Sequence, residues 1–525
     1  MRNINDIVFQ RQFFPCCRIV DEALCSQSSI LVNNTVLSNF TSSSFPVCTV
    51  EPGGHLLLDF GCEISGGVRI VTGFKKMAKI RLRFGESIAE ACGEPNKDHA
   101  IHDIVLPLPL LATVEFGSTG FRYARLDVQE GEADIVNVIA ICQTQHVEQI
   151  GEFRCSDQRL NEIFDTAVRT VRLCIQEYIL DGVKRDRLLW GGDLHPSTRS
   201  ILPLFGAIDA LDATLEQLCF NTKEGSFANG HTSYPLWLIM TIYECYLHSG
   251  DRRFLEKYKA YLINTSKQYL AMVKEDGTLE PQGIVFLDWP SHPDKEGTLA
   301  GFYGLFALGL ESAEHLLSEM QLDTTDIRQA RKRIMQTAPK PGANKSAIAI
   351  QHLAKIADGT ALLEQNLTSN ISTFMGGYIL QCLPHHSALE LIKRYWGGML
   401  DMGATTFWED FDLEWLKDNP TRLDEFPVPG RPNIHADYGR FCYKGLRHSL
   451  CHAWASGPVP WCFASILGVT PLEPGFRRIR FAPDLCGLDF AEGSIATPQG
   501  RISVKLRAGE KAQIKVPDGI EIEQQ

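Results

Sequence analysis

The first 148 residues contain short runs of Val, Ile, Leu, Phe and Thr, separated by Gly, Pro, Ser and Asn. Between Lys79 and Phe84 apolar and charged side chains alternate, so the apolar ones would all face one side of a strand. Short strands separated by turn residues at this spacing are typical of antiparallel β-sandwiches. The pattern therefore predicts an N-terminal β-sandwich over residues 1–148, in which the glycine-rich stretch 61–67 separates two strands.

Beyond the first domain the pattern becomes helical. Apolar residues recur every three or four positions from Leu160 to Ile179, and comparable segments follow. Two of these, Leu236 to Tyr246 and Phe302 to Leu310, lack a polar face, as expected for helices buried on two sides. We predict an inner ring of helices inside an outer ring over residues 149–467, although a solenoid or a bundle has the same periodicity. The further helices are predicted at about 196–219, 233–249, 252–273, 297–318, 324–337, 345–356, 370–383, 386–400 and 446–467.

Strand patterns return in residues 468–525, where Gly and Pro separate short apolar runs. A segment of about fifty residues is too small for most independent cores. We therefore expect this C-terminal β segment to pack against the helical domain or to complete the first sandwich.

Composition and charge argue against several classes of function. The formal net charge of −12 disfavours nucleic acid and anionic membranes as partners, because both bind clustered cationic surfaces. No apolar run approaches the length of a membrane span, and charged residues interrupt the N-terminus where a signal peptide needs an apolar core. The 16 cysteines are scattered and include no Cys-x-x-Cys pair, which indicates buried thiols and no structural zinc site. These features predict a cytoplasmic protein.

One stretch, Asp181–Asp193, combines three carboxylates (Asp181, Asp186 and Asp193) with three cations, a Trp and three glycines. Two of the glycines stand beside Trp190 and would weaken a helix, so the stretch is predicted to be a loop between two helices. A carboxylate-rich loop on a rigid scaffold is a common place for catalytic residues. The alternative is a solvated charged turn.

Hydrolysis of a glycosidic bond without a cofactor needs one carboxylic acid and one carboxylate on opposite sides of the bond. The best candidate to complete such a pair is Glu409, which follows two threonines and Trp408 in a predicted loop. The alternative is a helix start, in which a threonine caps the helix and Glu409 completes a capping box.

Two further stretches could bind a sugar. Asp288 and Trp289 could hold hydroxyls and one face of the ring, although a Trp packed at a helix end has the same local sequence. His452 lies in a predicted apolar helix, where a lone His is more often a core residue than a catalyst. Motifs for nucleotide binding, metalloproteases and serine hydrolases do not occur, and the His pairs lack partners at metal-binding spacing. We therefore predict no metal and no cofactor.

These stretches resemble those of a known family. The Asp181–Asp193 stretch is similar to the signature loop of the inverting α-L-rhamnosidases, commonly written Asp-Cys-Pro-x-Arg-(Asp/Glu) followed by Trp-x-Gly-Asp. Residues 403–409 resemble the family's second motif, and His452 with Gly457 resembles the third. Short phrases outside the helices also resemble the family and occur in the expected order: Leu58–Gly61, Ser65–Gly67, Phe84–Ser87, Gly120–Tyr123, Pro474–Phe476 and Pro498–Gly500.

The resemblance implies a multidomain α plus β fold, an (α/α)6 barrel flanked by antiparallel β-sandwich domains, and removal of terminal α-L-rhamnose with inversion. By matching positions, Asp186 is the expected general acid and Glu409 the general base that activates water, with about 6.5–9.5 Å between their carboxyl groups. Asp181 and Asp193 would hold sugar hydroxyls and keep the pKa of the acid high. The positions expected to bind substrate are Asp181, Arg185, Trp190, Asp193, Asp288, Trp289, Trp408 and His452.

The loop departs from the family pattern in two ways. Gly-Val replaces the usual Cys-Pro after Asp181, and one residue fewer separates Asp181 from Asp193. Counted from Asp181, the acid falls on Arg187, which cannot release a proton. Counted from Asp193, it falls on Asp186, and we prefer this count because the Trp and Gly-Asp anchor that end. The assignment requires Arg185 and Arg187 to point away from Asp186, since a contact would lower its pKa.

The sequence therefore predicts an inverting glycoside hydrolase that releases terminal α-L-rhamnose from small rhamnosides, such as disaccharides or plant glycosides. The alternatives are a phosphorylase or a lyase built on the same toroid, and a non-catalytic rhamnose-binding protein that has lost the acid. Linkage, aglycone and oligomeric state stay open, with a homodimer among the options.

Overall fold

The computed structural model describes residues 7–39, 46–74, 76–94, 103–184, 186–223, 225–440 and 444–524, and its N-terminal part is a sheet of seven strands. In chain order these are β1 (Phe9–Pro15), β2 (Arg18–Ser26), β3 (Cys48–Thr72), β4 (Ala78–Gly85), β5 (Asp103–Leu108), β6 (Thr113–Gly131) and β7 (Ala133–Gln145). A short helix, α1 (Ile88–Cys92), follows β4. The strands pair in the order β1-β7-β3-β6-β4-β5, and β2 also pairs with β3.

Strand β3 accounts for how this sheet surrounds a core. Its first half pairs with β2, with the end of β6 and, at its first three residues, with the start of β7. Its second half pairs with β7 and with the start of β6. The predicted break between two strands at residues 61–67 is wrong, because β3 continues through them. Gly61, at φ +81°, lies where the β3–β6 ladder shifts register, and glycine adopts this backbone without strain. The β3–β7 pair is parallel, and the other described pairs of this sheet are antiparallel.

The helical domain consists of helical hairpins, each with one helix in an outer ring and one in an inner ring. The inner helices contact one another in sequence: α3 (Gly191–Phe205), α5 (Tyr234–Ser249), α7 (Lys295–Glu319), α9 (Lys345–Leu353), α11 (Thr373–Cys382) and α14 (Pro458–Trp461), and α14 returns to α3. The remaining helices from α2 onward cover them, so the helical part has the six hairpins of an (α/α)6 barrel. The helices are α2 (Gln158–Cys174), α3 (Gly191–Phe205), α4 (Asp209–Phe220), α5 (Tyr234–Ser249), α6 (Arg252–Leu270), α7 (Lys295–Glu319), α8 (Thr325–Thr337), α9 (Lys345–Leu353), α10 (Thr360–Glu364), α11 (Thr373–Cys382), α12 (His385–Leu391), α13 (Gly397–Asp401) and α14 (Pro458–Trp461).

The two segments without a polar face lie in the inner ring, as predicted. Leu236 to Tyr246 belongs to α5, and Phe302 to Leu310 belongs to α7. Most of their side chains are buried, because each inner helix has neighbours in its own ring and an outer helix behind it. The absence of a polar face therefore correctly predicted that these two segments lie in the inner ring.

Three predicted helices are wrong in their extent. The first, predicted to reach Ile179, ends at Cys174 with α2. The segment 196–219 is divided between α3 and α4 at Gly206, whose φ of +76° ends the first helix. The segment 446–467 is mostly irregular, and α14 starts only at Pro458. Small apolar residues such as those around His452 fit a buried loop as well as a helix, so their composition could not distinguish the two.

The C-terminal strands pack against the helical domain, the first of the two predicted alternatives. Ile479, Ile495 and Ile502 belong to the same buried cluster as the barrel helices. These strands form a three-stranded and a four-stranded sheet, and the four-stranded one includes β8 (Glu152–Cys155), which precedes α2 and pairs with β11 (Phe490–Thr497). The C-terminal strands are β9 (Val469–Pro471), β10 (Arg478–Phe481), β11 (Phe490–Thr497), β12 (Gly500–Arg507), β13 (Gln513–Lys515) and β14 (Glu521–Gln524). Within the described residues, no helix combines the length and apolar character needed to cross a bilayer.

Candidate active site

The connections that lead from an outer helix to the next inner helix lie at one end of the barrel, because the paired helices are antiparallel. Four of them surround a cavity: the first (175–190), the second (221–233), the third (271–294) and the last (402–457). Every lining residue comes from one of these connections or from the first turn of the inner helix that follows. The lining residues are Asp181, Asp186, Trp190, Asp193, His231, Tyr234, Phe286, Trp289, Glu409, His452 and Trp454.

Most of the predicted site residues meet in this cavity. Asp186 and Glu409, the predicted acid and base, both line it although they belong to the first and the last connection. Asp288 and Trp408 are not among the lining residues, and Arg185 lies outside the described residues. The other predicted residues that line the cavity are Asp181, Trp190, Asp193, Trp289 and His452.

The first connection is closed by hydrogen bonds at Asp181. The Asp181 N–H donates to the carbonyl of Leu188 at 3.1 Å, and the Leu188 N–H donates to the Asp181 carboxylate at 3.0 Å. The Ala453 N–H donates to the Asp181 carbonyl at 3.2 Å, which joins the first connection to the last. The predicted loop between two helices is therefore confirmed as far as Trp190, but the prediction is wrong for Gly191 to Asp193, which belong to α3.

Gly191 and Gly192 begin α3 rather than interrupting a helix. A Cβ on Gly192 would lie 2.9 Å from the ring of Tyr234, so glycine is what lets α3 pack this closely against α5. Asp193 therefore falls in the first turn of α3, where the free N–H groups favour a carboxylate. Its Oδ1 lies 3.8 Å from Nε2 of His452, which comes from the last connection.

The backbone at Asp186 and Arg187 lies in the left-handed region, with φ of +55° and +51°. This conformation costs roughly 1–2 kcal/mol for each residue other than glycine, so neighbouring contacts must hold it. Arg187 supplies one of them, because its guanidinium donates to the carbonyl and hydroxyl oxygens of Ser118 in β6. Arg187 thus points to the N-terminal sheet and away from the cavity, as the assignment of Asp186 requires.

Glu409 is fixed through its backbone on both sides. Its N–H donates to the carbonyl of Ser449 at 3.0 Å. Its carbonyl accepts hydrogen bonds from the Thr373 hydroxyl (2.6 Å) and the Trp454 indole N–H (3.1 Å). Residues 403–410 form an irregular loop, so the capping-box alternative is wrong. The side chain is 4% exposed, which places its carboxylate in a largely water-excluded setting.

Aromatic rings form the rest of the cavity wall. The ring of His231 stacks on Tyr234 with 4.5 Å between centroids, and Phe286 meets Trp289 edge-on at 4.9 Å. Trp454 lies 4.1 Å from the ring of His452. The lining residues missed by the sequence prediction are His231, Tyr234, Phe286 and Trp454.

Only two of these four residues could have been found from the sequence. Phe286 stands beside the predicted Asp-Trp pair, and Trp454 stands two positions after His452, so sequence proximity could have indicated both. His231 and Tyr234 stand in the second connection and at the start of α5, far from any recognised motif. Only the convergence of the connections brings them to the cavity.

Burial and mutual repulsion shape the charges of the cavity. Burial raises the pKa of Asp181 well above its ordinary value, and the Asp186 and Glu409 carboxylates raise it further. Burial likewise raises the pKa of Asp193, with Asp181 and Glu409 adding to the rise. Neighbouring acids that disfavour one another's ionised form are a means of keeping a carboxylic acid protonated near neutral pH.

Replacing Asp193 with Asn is expected to stabilise the fold, and the gain should grow with pH. In the wild type the folded carboxyl holds its proton to a higher pH than the unfolded one, so stability falls from about pH 4 upward, by at most about 1.4 kcal/mol per pH unit, until the raised folded pKa is reached. Asn carries no proton to lose. Thermal unfolding at pH 4.5 and pH 8 tests this, with the half-exposed Asp165→Asn in α2 as control. A difference between variant and wild type that is independent of pH would contradict it.

Asp288 lies behind the cavity and ties three inner helices together. Its carboxylate accepts hydrogen bonds from the hydroxyls of Ser346 (2.6 Å) and Ser372 (2.7 Å), at the starts of α9 and α11. It also accepts from the Ser291 N–H at 3.1 Å, in the connection that precedes α7. The side chain is buried, so its contacts are structural.

Replacing Asp288 with Ala should therefore lower the free energy of unfolding by about 3 kcal/mol, since buried hydroxyls would lose a charged acceptor. Chemical denaturation measures this loss. Asp276→Ala, an exposed position in the same connection, is the control and should leave the free energy of unfolding close to that of the wild type. Equal effects of the two substitutions would show that Asp288 does not tie the helices.

Trp408 is also buried behind the site rather than exposed to a sugar. It packs edge-on against Phe411 at 5.4 Å and against His448 at 6.3 Å. Its side chain is 1% exposed. Trp408 therefore supports the loop that carries Glu409 from within the core.

Two models of known domain families match the chain. The model described as the bacterial alpha-L-rhamnosidase six-hairpin glycosidase domain matches residues 148–300. The model described as the bacterial alpha-L-rhamnosidase C-terminal domain matches residues 468–523. Residues 148–300 and 468–523 therefore match two domains of bacterial alpha-L-rhamnosidases. The predicted resemblance and fold class are thereby confirmed.

The proteins that this chain resembles differ in length. A curated alpha-L-rhamnosidase of Alteromonas sp. (strain LOR) is 23% identical over 512 residues, which covers 86% of this chain and 53% of that protein. The GH78 family rhamnosidase of Bacillus sp. GL1 has a TM-score of 0.72 at 21% identity, covering 93% of this chain and 54% of that one. The rhamnosidase from Klebsiella oxytoca with rhamnose bound has a TM-score of 0.67 at 19% identity, covering 87% and 96%. This chain thus spans about half the length of the first two.

Proposed function

We propose that this protein hydrolyses terminal α-L-rhamnosides with inversion of the anomeric carbon. The observation that carries the proposal is the single cavity lined by both Asp186 and Glu409, at the end of a barrel whose first part matches the alpha-L-rhamnosidase six-hairpin domain. Asp186 gives its proton to the glycosidic oxygen as the bond to the anomeric carbon breaks. Glu409 takes a proton from the water whose oxygen forms the new bond on the opposite face.

The remaining lining residues are suited to binding a deoxy sugar. Asp181 and Asp193 offer buried carboxylate oxygens that can accept hydrogen bonds from sugar hydroxyls. Trp190, Trp289 and Trp454 offer apolar faces against which a sugar ring and its methyl group can pack. Burial lowers the pKa of His231, which favours the neutral imidazole beside these rings.

The finer parts of the proposal concern substrate and location. The Klebsiella oxytoca relative has rhamnose bound, which supports rhamnose as the sugar that is recognised. We propose rhamnosides of small size, such as disaccharides or plant glycosides, as the substrates. We also propose a cytoplasmic location. Ten of the cysteines in the described residues are buried as free thiols, a state that a reducing compartment maintains.

A panel of aryl α-L-rhamnosides, α-mannosides and α-L-fucosides tests the activity. We expect turnover of the rhamnoside alone, and NMR of the first product should show the anomer opposite to that of the substrate. Activity that requires phosphate would indicate a phosphorylase instead. Calorimetric binding of rhamnose without turnover of any substrate would show a binding protein and refute the proposal.

A further inference from the structure

Lys184 stands in the middle of the first connection, yet its side chain is 1% exposed. Its ammonium lies 3.2 Å from a carboxylate oxygen of Glu86 and 3.0 Å from one of Glu90. It also donates to the carbonyls of Leu446 (2.7 Å) and His448 (2.8 Å) in the last connection. Lysines in loops normally keep the ammonium in water, so this buried position has to be compensated by the oxygens around it.

The two carboxylates belong to the N-terminal domain. Glu86 follows β4, and Glu90 lies in α1, where the Ser87 hydroxyl accepts its N–H and caps the helix. Burial raises the pKa of Glu86 to about 7, and the Lys184 ammonium opposes this rise. Removing one partner of such a buried charge cluster is costly, because the other partners lose their compensation. Lys184 therefore clamps the first connection to the N-terminal domain.

The cluster of Lys184, Glu86 and Glu90 also contacts the segment that holds the backbone of Glu409, the predicted base. Glu86 accepts a hydrogen bond from the Leu450 N–H at 2.8 Å. The preceding residue, Ser449, accepts the hydrogen bond from the Glu409 N–H. The Glu86 carboxylate thus contacts both Lys184 of the first connection and the backbone segment that is hydrogen-bonded to Glu409. The clamp is therefore shared by the two connections that supply the acid and the base.

Asp186 lies between residues that attach the first connection to the N-terminal domain. Lys184 precedes it by two positions, and Arg187 follows it with its bond to Ser118. Val183 is fully buried in the core of the N-terminal sheet. A residue with a left-handed backbone needs such attachments, because an unattached loop would relax to a less strained conformation.

We propose that Lys184 is a positioning residue for the hydrolysis: its ammonium, held by Glu86 and Glu90, fixes the first connection so that Asp186 meets the glycosidic oxygen. The inference rests on the proposed function and deepens it. It makes the N-terminal domain part of the catalytic machinery, since that domain supplies the two carboxylates. Lys184 acts through Asp186 and does not touch the substrate.

The test compares two substrates of Lys184→Met. Hydrolysis of methyl α-L-rhamnoside needs proton donation to a poor leaving group, whereas dinitrophenol leaves without it. A displaced Asp186 should therefore lower kcat for the methyl rhamnoside by about 100-fold and for the dinitrophenyl rhamnoside by less than about 5-fold, within the range of general acid catalysis. KM should change little for either substrate.

Lys257→Met is the matched control. Lys257 in α6 also contacts two carboxylates, Asp212 at 2.6 Å and Glu216 at 2.7 Å, but none of the three residues lines the cavity. Its loss should leave the ratio of the two kcat values unchanged. If Lys184→Met does not fold, the double variant Lys184→Met with Glu90→Gln removes one buried charge of each sign and allows the same comparison.

Hydrogen exchange at the Leu188 amide, bonded to Asp181 in the same connection, gives a readout that needs no turnover. It should exchange faster in the Lys184 variant than in the wild type. Equal losses on both substrates, or unchanged exchange at Leu188, would overturn the inference. A wild type that hydrolyses no rhamnoside would instead refute the proposed function, and exchange at Leu188 would still decide whether the clamp exists.

Discussion

Replacing Glu409 with Gln is expected to lower kcat on an aryl α-L-rhamnoside by about 10³-fold, within the range of general base catalysis. Gln keeps the shape of the side chain and leaves intact the backbone bonds to Ser449, Thr373 and Trp454. It cannot take a proton from the attacking water. Initial rates measure the loss, and KM should stay close to that of the wild type because the cavity keeps its shape.

The control for this variant is Glu414→Gln, an exposed glutamate in the same connection. It should retain wild-type activity and show that neutralising a glutamate near the site is not itself harmful. Thermal unfolding of Glu409→Gln should show that the fold is preserved. Retention of most activity by Glu409→Gln would remove Glu409 from the mechanism and leave the cavity without its proposed base.

Replacing Asp186 with Asn should produce a loss that depends on the leaving group. Asn cannot donate a proton, so kcat for methyl α-L-rhamnoside should fall by about 10³-fold, while the dinitrophenyl rhamnoside should lose about 10-fold or less. Parallel kinetics on both substrates across pH 4 to 9 measure these changes.

Asp165→Asn, a half-exposed position on α2, is the control and should behave as the wild type on both substrates. An equal loss on the two substrates would mean that Asp186 acts in binding rather than in proton donation. The proton would then have to come from another carboxyl of the cavity, Asp181 or Asp193. This result would also remove the basis for Lys184 as a positioning residue, which depends on Asp186.

The helical rings show where sequence patterns are reliable. The apolar faces of Leu236 to Tyr246 and Phe302 to Leu310 predicted inner helices, because burial on two sides acts on every residue of such a helix. The stretch around His452 has equally apolar residues but is extended at His452, where the backbone pairs with Gly182. That pairing depends on a segment 270 positions earlier, so no local pattern could reveal it.

The candidate site also has parts that the sequence predicted and parts that it could not. The loop from Asp181 to Asp193 and the Glu409 stretch could be recognised in the sequence, because proton transfer requires carboxylates and the family pattern surrounds them. The sequence did not separate Asp288, which ties three helices, from Trp289, which lines the cavity. Whether a side chain lines the cavity or packs in the core depends on its orientation in the folded loop.

By itself, the sequence determined the types of element and the chemistry available to this protein, since periodicity and side-chain acidity are properties of short stretches. Only the tertiary structure decided that Asp186 and Glu409 share one cavity, that Arg187 turns to the N-terminal sheet and that Lys184 is buried. These outcomes depend on contacts between connections far apart in the chain. Such contacts are set by the closure of the helical ring and by its packing against the sheet.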